Sequence, residues 1–242
     1  MKNNIIALDV SKEYILYIDK FLERSKLIII EWFEKSYQEF KVNTFIYKDN
    51  ISLREGLKRR GLGLYPSYMI ACMVDEDLEK NIRRSINFYE PKTLKEKKEY
   101  NQVVFHELIH YITDMIYGKL PEWLTEGIAK YLDGSYKENI ENLINNQIKN
   151  YEIPSIKEMK GDFFVLTKFE EIPPNEKQEI TIYNGYDISY LMIRYIIETQ
   201  GKSYLFELMN NKELIEEQEE RILSSALEYF SREYSKENTI KL

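Results

Sequence analysis

The sequence predicts an α+β fold, with a small mixed sheet and helices in the N-terminal part and mainly helices in the C-terminal part. Apolar residues recur at helical spacing from Glu13 to about Phe40. Several short segments that follow are predicted to be strands. They lie at residues 42–47, 67–74 and 84–89.

Residues that interrupt regular structure separate these N-terminal elements. Asp49 and Asn50 follow the first predicted strand, and the next helix, over Ile51–Arg60, ends at Gly61. Pro91 ends the third strand, because proline cannot donate a ladder hydrogen bond.

Capping residues mark the helices in the middle of the chain. Thr93 can cap a long helix that ends at Gly118, and Pro121 can open a second helix that ends at Gly134. Residues 151–184 include three prolines and form the most irregular stretch. Helical patterns return near residues 186–199 and 214–234.

Length and composition indicate one folded domain. The chain has 242 residues, and 43% of them are hydrophobic, which is enough for a core. We predict a single domain over residues 1–242, in which 1–134 form a lobe with the sheet and the long helix, and 135–242 form a mainly helical lobe. The single cysteine, Cys72, excludes a disulfide framework and a thiolate-rich metal site.

Charge and hydropathy restrict the partners that the sequence predicts. With 34 Lys and Arg against 41 Asp and Glu, the net charge is −7. No basic stripe dominates the chain, so the sequence does not predict nucleic-acid binding. The N-terminal apolar run is too short for a signal peptide, and no segment approaches the length of a membrane span. These features predict a cytoplasmic protein with no membrane partner.

The long helix carries the segment His106–His110, an HExxH sequence that holds the only two histidines of the chain. Residues four apart lie on one helix face, so the two imidazoles can bind one metal ion. Glu107 would flank that ion and take a proton from bound water. In the alternative interpretation, the helix is metal-free and each histidine pairs with a carbonyl or a carboxylate.

Glu126, in the next predicted helix, is the candidate third ligand. Catalytic zinc sites commonly have three protein ligands and leave a fourth position for water. A turn at Gly118 would return Glu126 to the same ion, whereas in the alternative Glu126 is a surface residue. The residues that flank it are apolar, which favours the ligand interpretation.

HExxH followed by a Pro-x-Trp-Leu-x-Glu-Gly-x-Ala pattern resembles the gluzincin metallopeptidases, in particular the small peptidase-MA-like families. The likeness extends from about residue 20 to residue 232, and its highly specific part is HExxH with the later glutamate. It implies a zincin-like fold, one zinc ion, and hydrolysis of a peptide bond. The matching residues are His106, Glu107, His110, Pro121, Trp123, Leu124, Glu126, Gly127 and Ala129.

The resemblance also implies further parts of the site. In related gluzincins a tyrosine downstream of the third ligand stabilises the oxyanion, which points to Tyr186, with Tyr183 as second choice. A strand just before the HExxH helix often lines the substrate cleft, and Arg84–Tyr89 is predicted as that edge strand. The substrate would be a peptide or a protein. Because no motif for binding a free N-terminus is visible, an endopeptidase is favoured over an aminopeptidase.

The chain departs from thermolysin-like enzymes in two ways. The spacing between His110 and Glu126 is shorter, so the geometry of the substrate site cannot be copied from them. Those enzymes also have an aspartate four residues after the glutamate ligand, where this chain has Lys130. Asp114 or Asp133 could orient a ligand histidine instead, or each could be a solvated or helix-end carboxylate.

The sequence leaves other functions open. The chain could be an HExxH regulator or sensor that acts on a single protein partner without general peptidase activity. A purely structural metal site is disfavoured, because such sites need no base and usually have four protein ligands. The intact set of four site residues disfavours a degenerate peptide-binding module. A divalent metal other than zinc is compatible with these ligands.

Overall fold

The computed structural model describes residues 3–35, 41–62, 69–76, 83–135, 153–159, 165–172 and 176–240. Over these residues the chain has the predicted α+β fold. It divides into two compact units, Met1–Gly118 and Lys119–Leu242. None of the helices in these ranges combines the length and the hydropathy that are needed to cross a membrane.

The first unit is built around a four-stranded mixed sheet. In chain order its elements are β1 (Asn4–Leu8), α1 (Lys12–Trp32), β2 (Asn43–Tyr47), α2 (Asn50–Arg59), β3 (Ala71–Glu76), β4 (Arg83–Tyr89) and α3 (Leu94–Tyr117). β1, β2 and β4 are parallel, and β3 is antiparallel to β4. The strand order is β1-β2-β4-β3, so β1 and β3 form the edges among the described strands.

Helices cover both faces of this sheet. Successive strand residues point to opposite faces, and Cys72 and Val74 point toward α2, where they pack with Leu57. Arg84 points to the other face, and its guanidinium binds Asp114 of α3 at 2.7 Å. α1 packs against α3, so these two helices share the second face.

The described strands confirm most of the predicted sheet and correct one assignment. β2, β3 and β4 occur where strands were predicted, although residues 67 and 68 lie outside the described ranges. The prediction that Arg84–Tyr89 forms a sheet edge is wrong, because β4 is internal and pairs with both β2 and β3. Its central residues, Ser85 to Phe88, are buried on both faces, as expected for an internal strand. Among the described strands, β3 forms this edge instead.

The described residues of the second unit are mainly helical and include one pair of antiparallel strands. In chain order its elements are α4 (Glu122–Asp133), α5 (Ile156–Met159), β5 (Val165–Ile172), β6 (Glu176–Asn184), α6 (Gly185–Thr199), α7 (Lys202–Asn210) and α8 (Lys212–Ile240). β5 and β6 lie within the stretch that was predicted to be irregular. α6 packs against α4, α7 and α8, so it is the central helix of the described part of this unit.

Burial of a protonated cysteine and a protonated tyrosine makes the first unit less stable at alkaline pH. Burial raises the pKa of the Cys72 thiol to about 12, and that of the Tyr117 hydroxyl to about 12. In unfolded chains these groups titrate near about 8.5 and 10. The folded protein therefore keeps protons that the unfolded chain releases, so this contribution is complete at neutral pH and is lost as pH rises toward about 12.

We expect the free energy of unfolding to fall by up to about 1.4 kcal/mol per pH unit for Cys72 above about pH 9. Urea unfolding measured between about pH 7 and pH 11 gives this slope. Cys72→Ala removes the titrating group, so its slope should be smaller than that of the wild type. Equal slopes in the two proteins would contradict the prediction.

Candidate metal centre

α3 presents both histidines from a helix that is fixed at its two ends. The Thr93 hydroxyl accepts a hydrogen bond from the Glu96 N–H, and the Glu96 carboxylate accepts one from the Thr93 N–H. This capping box satisfies two N–H groups that the helix itself leaves unpaired. At the other end Gly118 has a φ of 74°, and its N–H bonds to the Asp114 carbonyl oxygen. The predicted start and end of this helix are confirmed.

His106 and His110 face each other on successive turns of α3. Their Nε2 atoms are 3.0 Å apart, and their ring planes meet at 78°. Two nitrogens bound at about 2.0–2.1 Å to one tetrahedral zinc ion would be roughly 3.3 Å apart. The observed separation therefore fits two ligands of one ion.

His106, His110 and Glu126 form a possible metal-binding group. Each residue offers one ligand atom, and these atoms all lie within 4.8 Å of one another. Two imidazole nitrogens and one carboxylate oxygen form a donor set that suits zinc and similar divalent ions. The residues at this site thus fit a metal ion.

Close packing inside the second unit fixes the helix that carries Glu126. A Cβ atom on Gly127 would lie 2.5 Å from the Ser189 carbonyl oxygen and 2.5 Å from Cγ1 of Ile193, so only glycine lets α4 approach α6 this closely. The indole N–H of Trp123 donates to the Glu219 carboxylate of α8 at 3.2 Å, and both side chains are buried. These two contacts, one before and one after Glu126 in the sequence, fix the position of α4.

Glu107 contacts the sheet of the first unit. Its Oε2 accepts a hydrogen bond from the Met73 N–H of β3 at 2.9 Å. This hydrogen-bond donor could not be predicted from the sequence, because a backbone N–H has no side-chain signature and Met73 lies 34 residues before Glu107. One oxygen of the carboxylate is thereby fixed by the edge strand.

The sequence model of the peptidase MA superfamily matches residues 96–225, which is more than half of the chain. The match begins in the first turn of α3 and ends within α8, so it includes the whole metal-binding group. The chain belongs to the peptidase MA superfamily. Comparisons with curated proteins and with solved structures found no match. This membership confirms the predicted resemblance at the level of the superfamily.

Tyr186, the predicted oxyanion donor, is the second residue of α6 in this peptidase MA chain and lies beside α4. Its N–H bonds to the Asn184 side chain, which caps the helix. The Lys130 ammonium is 5.4 Å from the centre of the Tyr186 ring. Lys130 lies four residues after Glu126, so both side chains lie on one face of α4. The catalytic role of Tyr186 stays a prediction.

Asp114 and Asp133, the two aspartates proposed to orient a ligand histidine, each contact another residue. Asp114 binds Arg84 at 2.7 Å, which links α3 to β4. Asp133 accepts a hydrogen bond from the Ser135 N–H at 2.7 Å, at the end of α4. An orienting role of either aspartate toward a ligand histidine stays a prediction. Tyr183, the second choice for the oxyanion donor, belongs to β6, and its side chain lies outside the described part of the chain.

Proposed function

We propose that this member of the peptidase MA superfamily is a zinc-dependent metallopeptidase of the gluzincin type that cleaves internal bonds of a peptide or protein. The observation that carries the proposal is the group of His106, His110 and Glu126, whose ligand atoms lie within 4.8 Å of one another. Glu107, next to the first of these residues, supports a catalytic site over a structural one, because a structural site has no use for a base.

The three ligand residues would hold one zinc ion and leave a position for water. When bound, zinc lowers the pKa of water to about 7 and polarises the carbonyl of the scissile bond. Glu107 takes a proton from the attacking water and later gives it to the leaving amine. The Tyr186 hydroxyl donates a hydrogen bond to the oxygen that becomes negative during the attack.

We propose β3 as the strand that pairs with the substrate. Extended peptides bind to exposed sheet edges through backbone hydrogen bonds. β3 forms an edge among the described strands, whereas β4 is internal. β3 also contacts Glu107 through Met73, so a peptide on this edge would lie near the base. The proposed substrate-pairing strand is thus β3 and no longer Arg84–Tyr89.

Tyr186→Phe should lower kcat for peptide cleavage by roughly 10- to 100-fold, because it removes one hydrogen bond to a charged oxygen, worth about 1.5–3 kcal/mol. The ring and its position beside Lys130 are retained, so metal content and the unfolding temperature should stay at the wild-type values. Steady-state kinetics and metal analysis measure these quantities. Wild-type kcat in the variant would exclude this residue as the oxyanion donor.

Cleavage of a diverse peptide mixture, read by mass spectrometry, tests the proposed function. The zinc-loaded wild type should cut peptides, and the positions of the cuts distinguish endopeptidase from aminopeptidase action. Glu126→Gln, which removes a charged ligand, should lose both zinc and cleavage. A wild type that retains about one zinc ion per chain and cuts no peptide would contradict the proposal. That result would favour a regulator that acts on a single protein partner.

A further inference from the structure

We infer that the Met73 N–H of β3 is a positioning group for Glu107, which holds the carboxylate where it acts as a base. This inference rests on the proposed function, because it concerns the same reaction. Met73 contributes only its backbone, so the residue type at this position gives no sign of the role. The edge strand would then serve the chemistry through this N–H, and the substrate through its other outward-facing backbone groups.

The direction of the Met73 N–H leaves it available to Glu107. Met73 lies opposite Ile86 in the antiparallel pairing of β3 with β4. In such a ladder, alternate residues direct their N–H away from the partner strand. The Met73 N–H donates to Glu107 Oε2 at 2.9 Å, so it points away from β4 and the contact replaces no hydrogen bond of the sheet.

The donor is itself held in place from both faces of the sheet. On one face, Cys72 and Val74 are buried against α2. On the other, Arg84 binds Asp75 of β3 at 3.0 Å and Asp114 of α3 at 2.7 Å. Arg84 thus links β3 to the helix of the base, close to Met73 along the strand. The N–H has a fixed position relative to α3.

A fixed donor matters because a general base must lie within hydrogen-bond reach of the proton that it removes. A glutamate side chain has several rotatable bonds, and fixing them costs conformational entropy. A hydrogen bond to a carboxylate is stronger than one between neutral groups. With Oε2 bound to Met73, Oε1 is the oxygen that is presented for proton transfer. Loss of the donor should therefore lower kcat and leave metal binding unchanged.

Met73→Pro removes this donor without removing a hydrogen bond of the sheet, because proline is tolerated on an edge strand where the N–H points outward. We expect kcat to fall roughly tenfold, since misplacing a catalytic group by about 1 Å can cost up to a hundredfold, at unchanged metal content. Met73→Leu keeps the N–H and should retain a kcat at least about five times that of Met73→Pro. Ala7→Pro, on the other edge strand, is the control for proline itself and should keep wild-type kcat.

The control position is matched to the test position. Asn4 directs its N–H to Val42 of the neighbouring chain segment, so in this parallel pairing the N–H of Ala7 points outward. A wild-type kcat in Met73→Pro, or a loss equal to that in Ala7→Pro, would overturn the inference. A higher kcat would also overturn it, because the contact would then restrain the base.

Amide exchange measured by NMR tests the contact without any activity assay. The Met73 amide should be protected in the wild type and should exchange roughly tenfold faster in Glu107→Ala, whereas the Cys72 amide, which faces β4, should not change. Equal Met73 exchange in both proteins would overturn the inference even if Met73→Pro does not fold. A wild type that cuts no peptide would contradict the proposed function, and the contact would still be judged by exchange.

Discussion

Glu107→Gln should reduce kcat for peptide cleavage by roughly a thousandfold while the protein still binds its metal ion. Glutamine has the shape of glutamate, and its amide oxygen can still accept the hydrogen bond from Met73 that the carboxylate accepts at 2.9 Å. The amide cannot take a proton from water at neutral pH, so the loss is specific to the chemical step. Single-turnover kinetics and metal analysis of the same sample separate these two properties.

Glu99→Gln is the matched control for this substitution. Glu99 lies on the same helix and is exposed, so the same loss of charge should change kcat by less than about twofold. If Glu107→Gln kept more than about a tenth of the wild-type kcat, Glu107 would not be the base. If it lost the metal as well, Glu107 would have to be assigned as a ligand.

The site could be predicted largely because its parts are local in sequence. Thr93 and Gly118 mark the ends of α3, and both act through neighbours within four residues. The HExxH spacing follows directly from helix geometry. Glu126 could be found because its helix comes next in the chain, after a short connection with recognisable glycine and proline. Features that depend on residues close in sequence can be predicted without the tertiary structure.

The parts that could not be predicted depend on contacts between distant residues. Whether β4 is internal or at an edge depends on its pairing with both β2 and β3, and the sequence of a seven-residue strand does not encode that order. The bond between Met73 and Glu107 spans 34 residues, and that between Trp123 and Glu219 spans 96. The strands β5 and β6 were missed because prolines in that stretch favour irregular structure.

Lys130 cannot have the role of the aspartate that thermolysin-like enzymes have at this position. An ammonium has only donors, so Lys130 cannot accept a hydrogen bond from a ligand histidine as an aspartate would. It lies instead 5.4 Å from the ring of Tyr186, within the range of a cation–π contact. In this chain the position four residues after Glu126 therefore contacts the predicted oxyanion donor.

Gly127→Ala should destabilise the second unit and weaken metal binding. In a helix interior, alanine is favoured over glycine by about 1 kcal/mol, which alone would stabilise α4. The added Cβ, however, would lie 2.5 Å from the Ser189 carbonyl oxygen, a backbone atom that cannot rotate away. Overpacking of this kind costs about 1–3 kcal/mol and sometimes more. We expect the steric cost to exceed the helix preference, with a net loss of about 2 kcal/mol.

This loss corresponds to a decrease of roughly 4–8 °C in the unfolding temperature, measurable by calorimetry. Because Glu126 is the adjacent residue, a shift of α4 away from α6 should also lower metal affinity by roughly tenfold. Gly61→Ala is the control, since its Cβ would meet no atom within 4 Å although its φ is +75°. It should cost about 1 kcal/mol through backbone strain and leave metal affinity unchanged. A more stable Gly127→Ala protein with wild-type metal affinity would show that α4 and α6 have room for a methyl group, and that glycine has another role beside the third ligand.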